Sequence, residues 1–148
     1  MDFRKLLSEH GEQALEIVKA CYPHQSDIHT EFSERFAASL NPQKGSYSVN
    51  FIGGFEDQTL QAIGGYAMSS MTDSCWELSW ACVLPKFRNQ GIGKNLVQFR
   101  IKEILEITTT QQTYILVHAR ESIAFSSLGF QKSFDADLNK PVLWKRIK

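Results

Sequence analysis

The sequence predicts an α/β chain built on a mixed sheet, in the order β-α-α-β-β-β-α-β-α-β-β. Three observations predict it. Apolar residues spaced four apart (Phe32, Phe36, Leu40) give way to strict alternation, with Tyr47, Val49 and Phe51 set against Ser46, Ser48 and Asn50. Two turn clusters, Glu56-Asp57-Gln58 and Thr72-Asp73-Ser74, then divide the middle of the chain into three strands at hairpin spacing. A long amphipathic helix separates these strands from Thr113 to Val117, a β-rich and almost wholly apolar segment.

The elements follow in order. Asp2 to Leu7 reads as a short first strand. Ser8 is placed to cap a helix whose stripe of Leu15, Val18 and Cys21 ends before Pro23. A second helix starts near Asp27 and stops at Asn41-Pro42. The strand from Tyr47 turns at Glu56 into Thr59 to Met68, and that strand turns at Thr72 into Cys75 to Leu84. The glycine pairs at 53–54 and 64–65 mark bulges or close packing against backbone. A polar loop after Pro85 leads into the long helix, whose stripe is Val97, Ile101, Ile104 and Leu105 and whose end frays over Thr108 to Thr110. The segment Thr113 to Val117 is expected to be a central strand buried on both faces. Glu121 to Leu128 forms a short helix closed by Gly129. Phe130 to Phe134 and Val142 to Ile147 form a terminal hairpin around Asp135 to Pro141.

At 148 residues and 43% hydrophobic content the chain is read as one domain, residues 1–148, with a core that needs neither disulfide nor metal. Sixteen basic residues against sixteen acidic ones argue against a nucleic-acid module, which carries a basic excess. No apolar run is long enough to span a membrane, and the N-terminus has no signal-peptide pattern. Cys21, Cys75 and Cys82 are odd in number and scattered, which suits a reducing cytoplasm. Histidines 24 and 29 with Asp27 and Glu31 match no metal-site spacing, and no metal is expected.

The chemistry is concentrated in Val83-Leu84-Pro85-Lys86-Phe87-Arg88-Asn89-Gln90-Gly91-Ile92-Gly93-Lys94-Asn95-Leu96. A strand ends at a proline, two glycines follow two apart, and a helix begins at once. Glycines let backbone N–H groups turn toward a ligand, and the first helical turn adds unpaired donors and the positive end of the helix dipole. Together they form an anion cradle. The segment is neither G-x-G-x-x-G nor G-x-x-x-x-G-K-S/T, so it signals neither a dinucleotide fold nor a phosphate-loop NTPase.

The pattern V-x-P-x-x-R-x-x-G-x-G-x-x-L between a strand and an amphipathic helix resembles the acyl-CoA-binding motif of the GNAT superfamily of N-acetyltransferases. The order of the other elements, down to Leu128-Gly129-Phe130, agrees over residues 2 to 147, although only residues 83–96 are specific. The resemblance implies a mostly antiparallel sheet of about six to seven strands flanked by about four helices. It implies acetyl-CoA as co-substrate, with the backbone of Arg88, Asn89, Gln90, Gly91, Ile92, Gly93 and Lys94 on its pyrophosphate. It sets Val83 against the pantetheine arm, in a gap between that strand and Tyr114 to His118. An asparagine that bonds the arm in relatives has His118, Arg120 or Ser122 in its region here. The first two helices, Ala20 to Leu40, would roof the acceptor, and Asp27, Glu31 and Glu34 would favour a cationic amine.

Transfer to an amine requires loss of a proton from an alkylammonium of pKa near 10. Counting back from the glycine loop, Glu77 falls where one branch of the family places its base. Strand parity sets it on a face with Ser79, Ala81 and Val83 and opposite Cys82, which reads as core. Trp76, Leu78 and Trp80 beside it would desolvate the carboxylate and raise its pKa; the other reading is a solvated glutamate. A backbone N–H near Val83 to Pro85 would stabilise the oxyanion. Relatives place a thiol-protonating tyrosine where this chain has Phe125, so Ser126 or Ser127 would have to stand in, or the thiol of pKa near 8.5 would leave as its anion. The expected activity is transfer of an acetyl group to a primary amine of a small molecule or peptide, with a non-catalytic acyl-CoA sensor as the alternative. A homodimer through an edge strand stays open.

Overall fold

The computed structural model describes residues 1–118, 123–132 and 142–148. Its strands are β1 (Asp2–Lys5), β2 (Asn50–Glu56), β3 (Thr59–Met68), β4 (Cys75–Val83), β5 (Tyr114–His118), β6 (Gln131–Lys132) and β7 (Val142–Arg146). Its helices are α1 (Gly11–Cys21), α2 (Ser26–Leu40), α3 (Ile92–Ile107) and α4 (Ile123–Ser126). The element order is the expected one. The strands form one sheet, β1-β2-β3-β4-β5-β7-β6, antiparallel throughout except where β4 runs parallel to β5. That parallel step needs a crossover, which α3 supplies.

Two cores lie on the two faces of the sheet. Helices α1 and α2 cover one face through Ala14, Ile17, Val18, Phe32 and Phe36, packed on Val49, Phe51, Ile63 and Cys82. On the other face α3 packs Leu96, Val97 and Ile104 on Ile52, Tyr66, Trp76, Leu78, Ile115 and Val117. In α3, Arg100 occupies a fully buried position while Leu105, expected in the apolar stripe, is 41% exposed. The charge on residue 100 hides its place in the buried stripe, because its partners are backbone carbonyls.

Several local expectations change. Ser8 lies in a 3-10 turn, Ser8–His10, and the cap is made by His10, whose Nδ1 accepts the Leu7 N–H at 2.8 Å. Strand β5 is central, but only Ile115 and Val117 are buried; Tyr114 and Leu116 are half-covered, so burial is one-sided. In the terminal hairpin Gln131 pairs with Trp144 and Lys132 with Leu143, while the connecting residues 133–141 lie outside the described residues.

The glycine pair at 64–65 sits at a bulge. Ile63 pairs with Cys82 and Gly65 with Ser79, so Trp80 and Ala81 together oppose Gly64. Trp80 takes a positive φ of 55°, and the bulge inverts the alternation of β4. Trp80 packs edge-on against Phe32 of α2 at 5.6 Å between ring centroids, and Cys82 joins the α1–α2 core. Cys82 is buried as expected, but on the α1–α2 face and not opposite Glu77. Strict parity fails because one strand gains a residue relative to its partner.

Candidate active site

Beyond the bulge, β4 loses a neighbour. Its parallel pairing with β5 runs from Cys75–Tyr114 to Leu78–Val117 and stops there, although β4 continues to Val83. A cavity of about 730 Å³ occupies the opening. From the α1–α2 side it is lined by Cys21, Tyr22, Gln25, Ile28 and Glu31. From the α3–α4 side it is lined by Leu78, Arg100, Val117 and Phe125, and Ser79 to Val83 form its wall. The cleft therefore passes through the sheet where the two parallel strands part.

At the end of β4 the chain makes a 3-10 turn, Pro85–Phe87, and then the glycine loop. Gly91 precedes the first residue of α3 at φ +81°, and a Cβ there would meet nothing within 4 Å. This is a left-handed conformation that glycine adopts without cost. As N-cap, Gly91 offers no side chain to the first-turn N–H groups, and that turn holds no acidic residue, whereas α1 and α2 carry Glu12 and Asp27 in theirs. A helix start with open donors, no carboxylate and Lys94 nearby suits an anion. Arg88, Asn89, Gln90, Gly91, Gly93 and Lys94 are exposed around it, while Ile92 is buried and presents only backbone. These residues fit a pyrophosphate.

Arg88 also turns inward. Its Nε donates to the Val83 carbonyl at 3.0 Å and its Nη2 to the Cys21 sulfur at 3.5 Å. The Cys21 thiol lies 3.5 Å from the same carbonyl. A hydrogen bond from the Cys82 thiol and the Arg88 guanidinium pull the Cys21 pKa down to about 6, against the opposing effect of burial. Cys82 is held as the neutral thiol: it donates to Cys21 and is buried, and both effects push it up.

Beneath the bulge, Arg100 is 1% exposed. Its Nη1 donates to the carbonyls of Gly65 at 2.9 Å and Ser79 at 3.2 Å, and its Nε to Leu96 at 3.2 Å. Burial lowers its pKa to about 10, which leaves it charged at neutral pH. Gly64 makes room for it, since a Cβ there would lie 3.1 Å from the guanidinium carbon. The Ser79 hydroxyl is buried with no hydrogen-bond partner among the described residues.

Glu77 is half-buried in the last fully paired stretch of β4, one residue before the strands part. Tyr47 donates its hydroxyl to Glu77 Oε2 at 3.4 Å, and Arg35 stands over the Tyr47 ring at 5.1 Å. Burial, followed by the Glu77 charge, raises the Tyr47 pKa and keeps it a phenol. Trp76 and Leu78 pack on the α3 face, while Trp80 packs against Phe32 of α2. Glu77 is not among the lining residues of the cavity, whereas Glu31 and His118 are. Of the cofactor residues foreseen, Val83 and Arg88 line the cleft, and Ser122 and Arg120 lie outside the described residues. Phe125 lines the cleft and meets Phe130 edge-on at 5.3 Å; Ser126 is exposed and does not line it.

The acetyltransferase (GNAT) domain family matches residues 52–132, more than half of the chain. The protein is a member of the GNAT acetyltransferase family. The GNAT fold is shared with solved structures at low identity. A PaiA N-acetyltransferase from Thermoplasma acidophilum, in complex with coenzyme A, is 21% identical with a TM-score of 0.70 over 98% of each chain. An aminoglycoside 6'-N-acetyltransferase complexed with coenzyme A is 16% identical with a TM-score of 0.71, covering 100% of this chain and 98% of that one. A GNAT family acetyltransferase from Brucella melitensis, in complex with acetyl-CoA, is 13% identical with a TM-score of 0.70, covering 99% of this chain and 88% of that one. No curated protein sequence matches the chain. No helix among the described residues is long and apolar enough to cross a membrane.

Cys21, Arg100, Ser79 and the bulge at Trp80 were not foreseen as parts of the site. Gly64-Gly65 was the one available signal: it announced a bulge or a close approach, and both are present, without saying that an arginine makes the approach.

Proposed function

We propose that this GNAT protein transfers an acetyl group from acetyl-CoA to a primary amine of a small molecule or peptide. One observation carries the reading: the cleft opens where β4 and β5 part, with Glu31 in its lining and an uncapped, acid-free helix start following the strand end that walls it. An anionic donor and a cationic acceptor can thus approach one another through the sheet. The backbone of Arg88 to Lys94 holds the pyrophosphate, and Val83 lies along the pantetheine arm. The unpaired half of β4 offers N–H groups toward the thioester. Glu77, with Tyr47 donating to it, is the base that receives the amine proton. Phe125 has no proton to give at the cleft, so the thiol departs as its anion.

The test begins with thermal unfolding in acetyl-CoA, with adenosine monophosphate as the weak control. At a hundredfold excess over Kd, binding adds about 2.7 kcal/mol, which raises Tm at about 2–4 °C per kcal/mol. A flat response to millimolar acetyl-CoA would remove the reading. Once an accepted amine is found, Glu77→Gln should lower kcat about 100-fold while the thermal shift stays. Unchanged kcat would transfer the base role to Glu31 or His118, which line the cleft where Glu77 does not. A domain that binds acyl-CoA without transferring it is favoured by Phe125 alone, and it predicts the shift with no acetylated product from any amine.

A further inference from the structure

We propose that Cys21 and Cys82 form a redox couple at the mouth of the cleft, in which a hydroperoxide oxidises Cys21 and Cys82 then closes a disulfide that shuts out acetyl-CoA. The gating half of this proposal rests on the acetyl-CoA reading above; the couple itself does not. The two thiols meet across an element boundary: Cys21 is the last residue of α1, and Cys82 follows the bulge of β4. Cys21 packs against the core cluster that contains Cys82, and both line the same cavity. Each has the character its part requires. Cys21 is half-exposed, lines the cavity and holds an arginine on its sulfur at 3.5 Å, the environment of an attacking thiolate. Cys82 is 1% exposed, shielded from solvent relative to Cys21 but in position to resolve an oxidised neighbour.

The steps balance. The Cys21 thiolate attacks the distal peroxide oxygen, the O–O bond breaks, and an alcohol leaves with a proton from solvent, giving the sulfenic acid. The Cys82 thiol then loses its proton and attacks the Cys21 sulfur; an S–S bond forms, the S–O bond breaks, and the departing hydroxide takes up a proton as water. Two thiol sulfurs have lost two electrons and one peroxide has gained them. The disulfide draws the end of α1 onto β4 next to Val83, the strand end against which the pantetheine arm would lie. Acetyl-CoA in the cleft covers Cys21, so occupancy and oxidation oppose each other.

Cys75 is an internal control. It is also half-exposed, but burial and then the Glu77 charge push its thiol pKa up. The full chain is treated with hydrogen peroxide, with and without saturating acetyl-CoA, alkylated, digested and read by mass. The expected result is a Cys21–Cys82 cross-linked peptide that forms at least tenfold faster than any oxidation of Cys75, is suppressed by acetyl-CoA and is reversed by dithiothreitol. Cys82→Ala should carry Cys21 on to the sulfinic acid, and Cys21→Ala should leave Cys82 reduced. The oxidised protein should lose the acetyl-CoA thermal shift and regain it on reduction. Oxidation of Cys21 no faster than that of Cys75, or without the cross-link, overturns the couple; a cross-linked protein that still binds acetyl-CoA overturns the gate. If reduced protein shows no shift with acetyl-CoA, the transfer reading falls and the gate with it, while the cross-link is still decided by mass.

Discussion

Strand β4 holds two different surfaces. From Cys75 to Leu78 it is paired on both edges, to β3 and to β5, and alternates cleanly, with Trp76 and Leu78 in the α3 core. From Ser79 to Val83 it has a partner on one edge only, its alternation is broken by the bulge, and its open edge lines the cleft. The first half is ordinary sheet. The second is sheet with one neighbour withdrawn, and its exposed backbone is what a ligand can use. The comparison teaches that the site is built less from special side chains than from a place where the ladder stops.

Something must hold the open half in shape, and Arg100 does so from below by bonding the carbonyls of Gly65 and Ser79, the paired residues at which the bulge begins. The largest effect should follow its removal. Arg100→Ala leaves two buried carbonyls short of a donor and a void under the bulge, at a cost of about 3–5 kcal/mol. A thermal melt should fall by about 10 °C, at about 2–4 °C per kcal/mol. A loss below about 1 kcal/mol would mean the bulge supports itself and the two halves of β4 differ only in pairing.

This contrast also explains what could be read from the chain alone. The paired half was legible because period-two burial is a property of the sequence. Element order, the turn clusters and the glycine loop were legible for the same reason: each is a local preference. The bulge was legible only from its glycine side, at Gly64-Gly65; the positive φ of Trp80 across from it was not, because nothing near Trp80 in sequence requires that conformation. Arg100 was missed because a charged residue in a helix stripe reads as solvent-facing unless its carbonyl partners, 21 and 35 residues away, are known. Cys21 and Cys82 looked scattered because 61 residues separate what the fold brings together.

The glycines after β4 test whether the open half acts together with the helix start beyond it. Gly91→Ala has open space but the wrong φ, and should cost about 1–2 kcal/mol of stability. Gly93 lies inside α3 with ordinary backbone, and a methyl group added there would meet no atom within 4 Å, so Gly93→Ala should stabilise by about 0.5–1 kcal/mol. Both should weaken acetyl-CoA binding in a titration, since each sets a methyl group where the pyrophosphate would approach. A stabilised Gly93→Ala that binds acetyl-CoA unchanged would detach the helix start from the site.

The smallest effect is the most discriminating. Ser79 is the first residue past the last β4–β5 pair, and its hydroxyl is buried without a partner among the described residues. An unpaired buried hydroxyl carries a desolvation cost and returns no hydrogen bond to the fold. Ser79→Ala should therefore leave stability unchanged or raise it by up to about 1 kcal/mol in a denaturant titration. If the hydroxyl instead serves the ligand, the same variant should bind acetyl-CoA more weakly or turn over more slowly. A destabilised variant with normal binding would place Ser79 with the structural half of the strand, and the boundary between the halves would move one residue toward Val83.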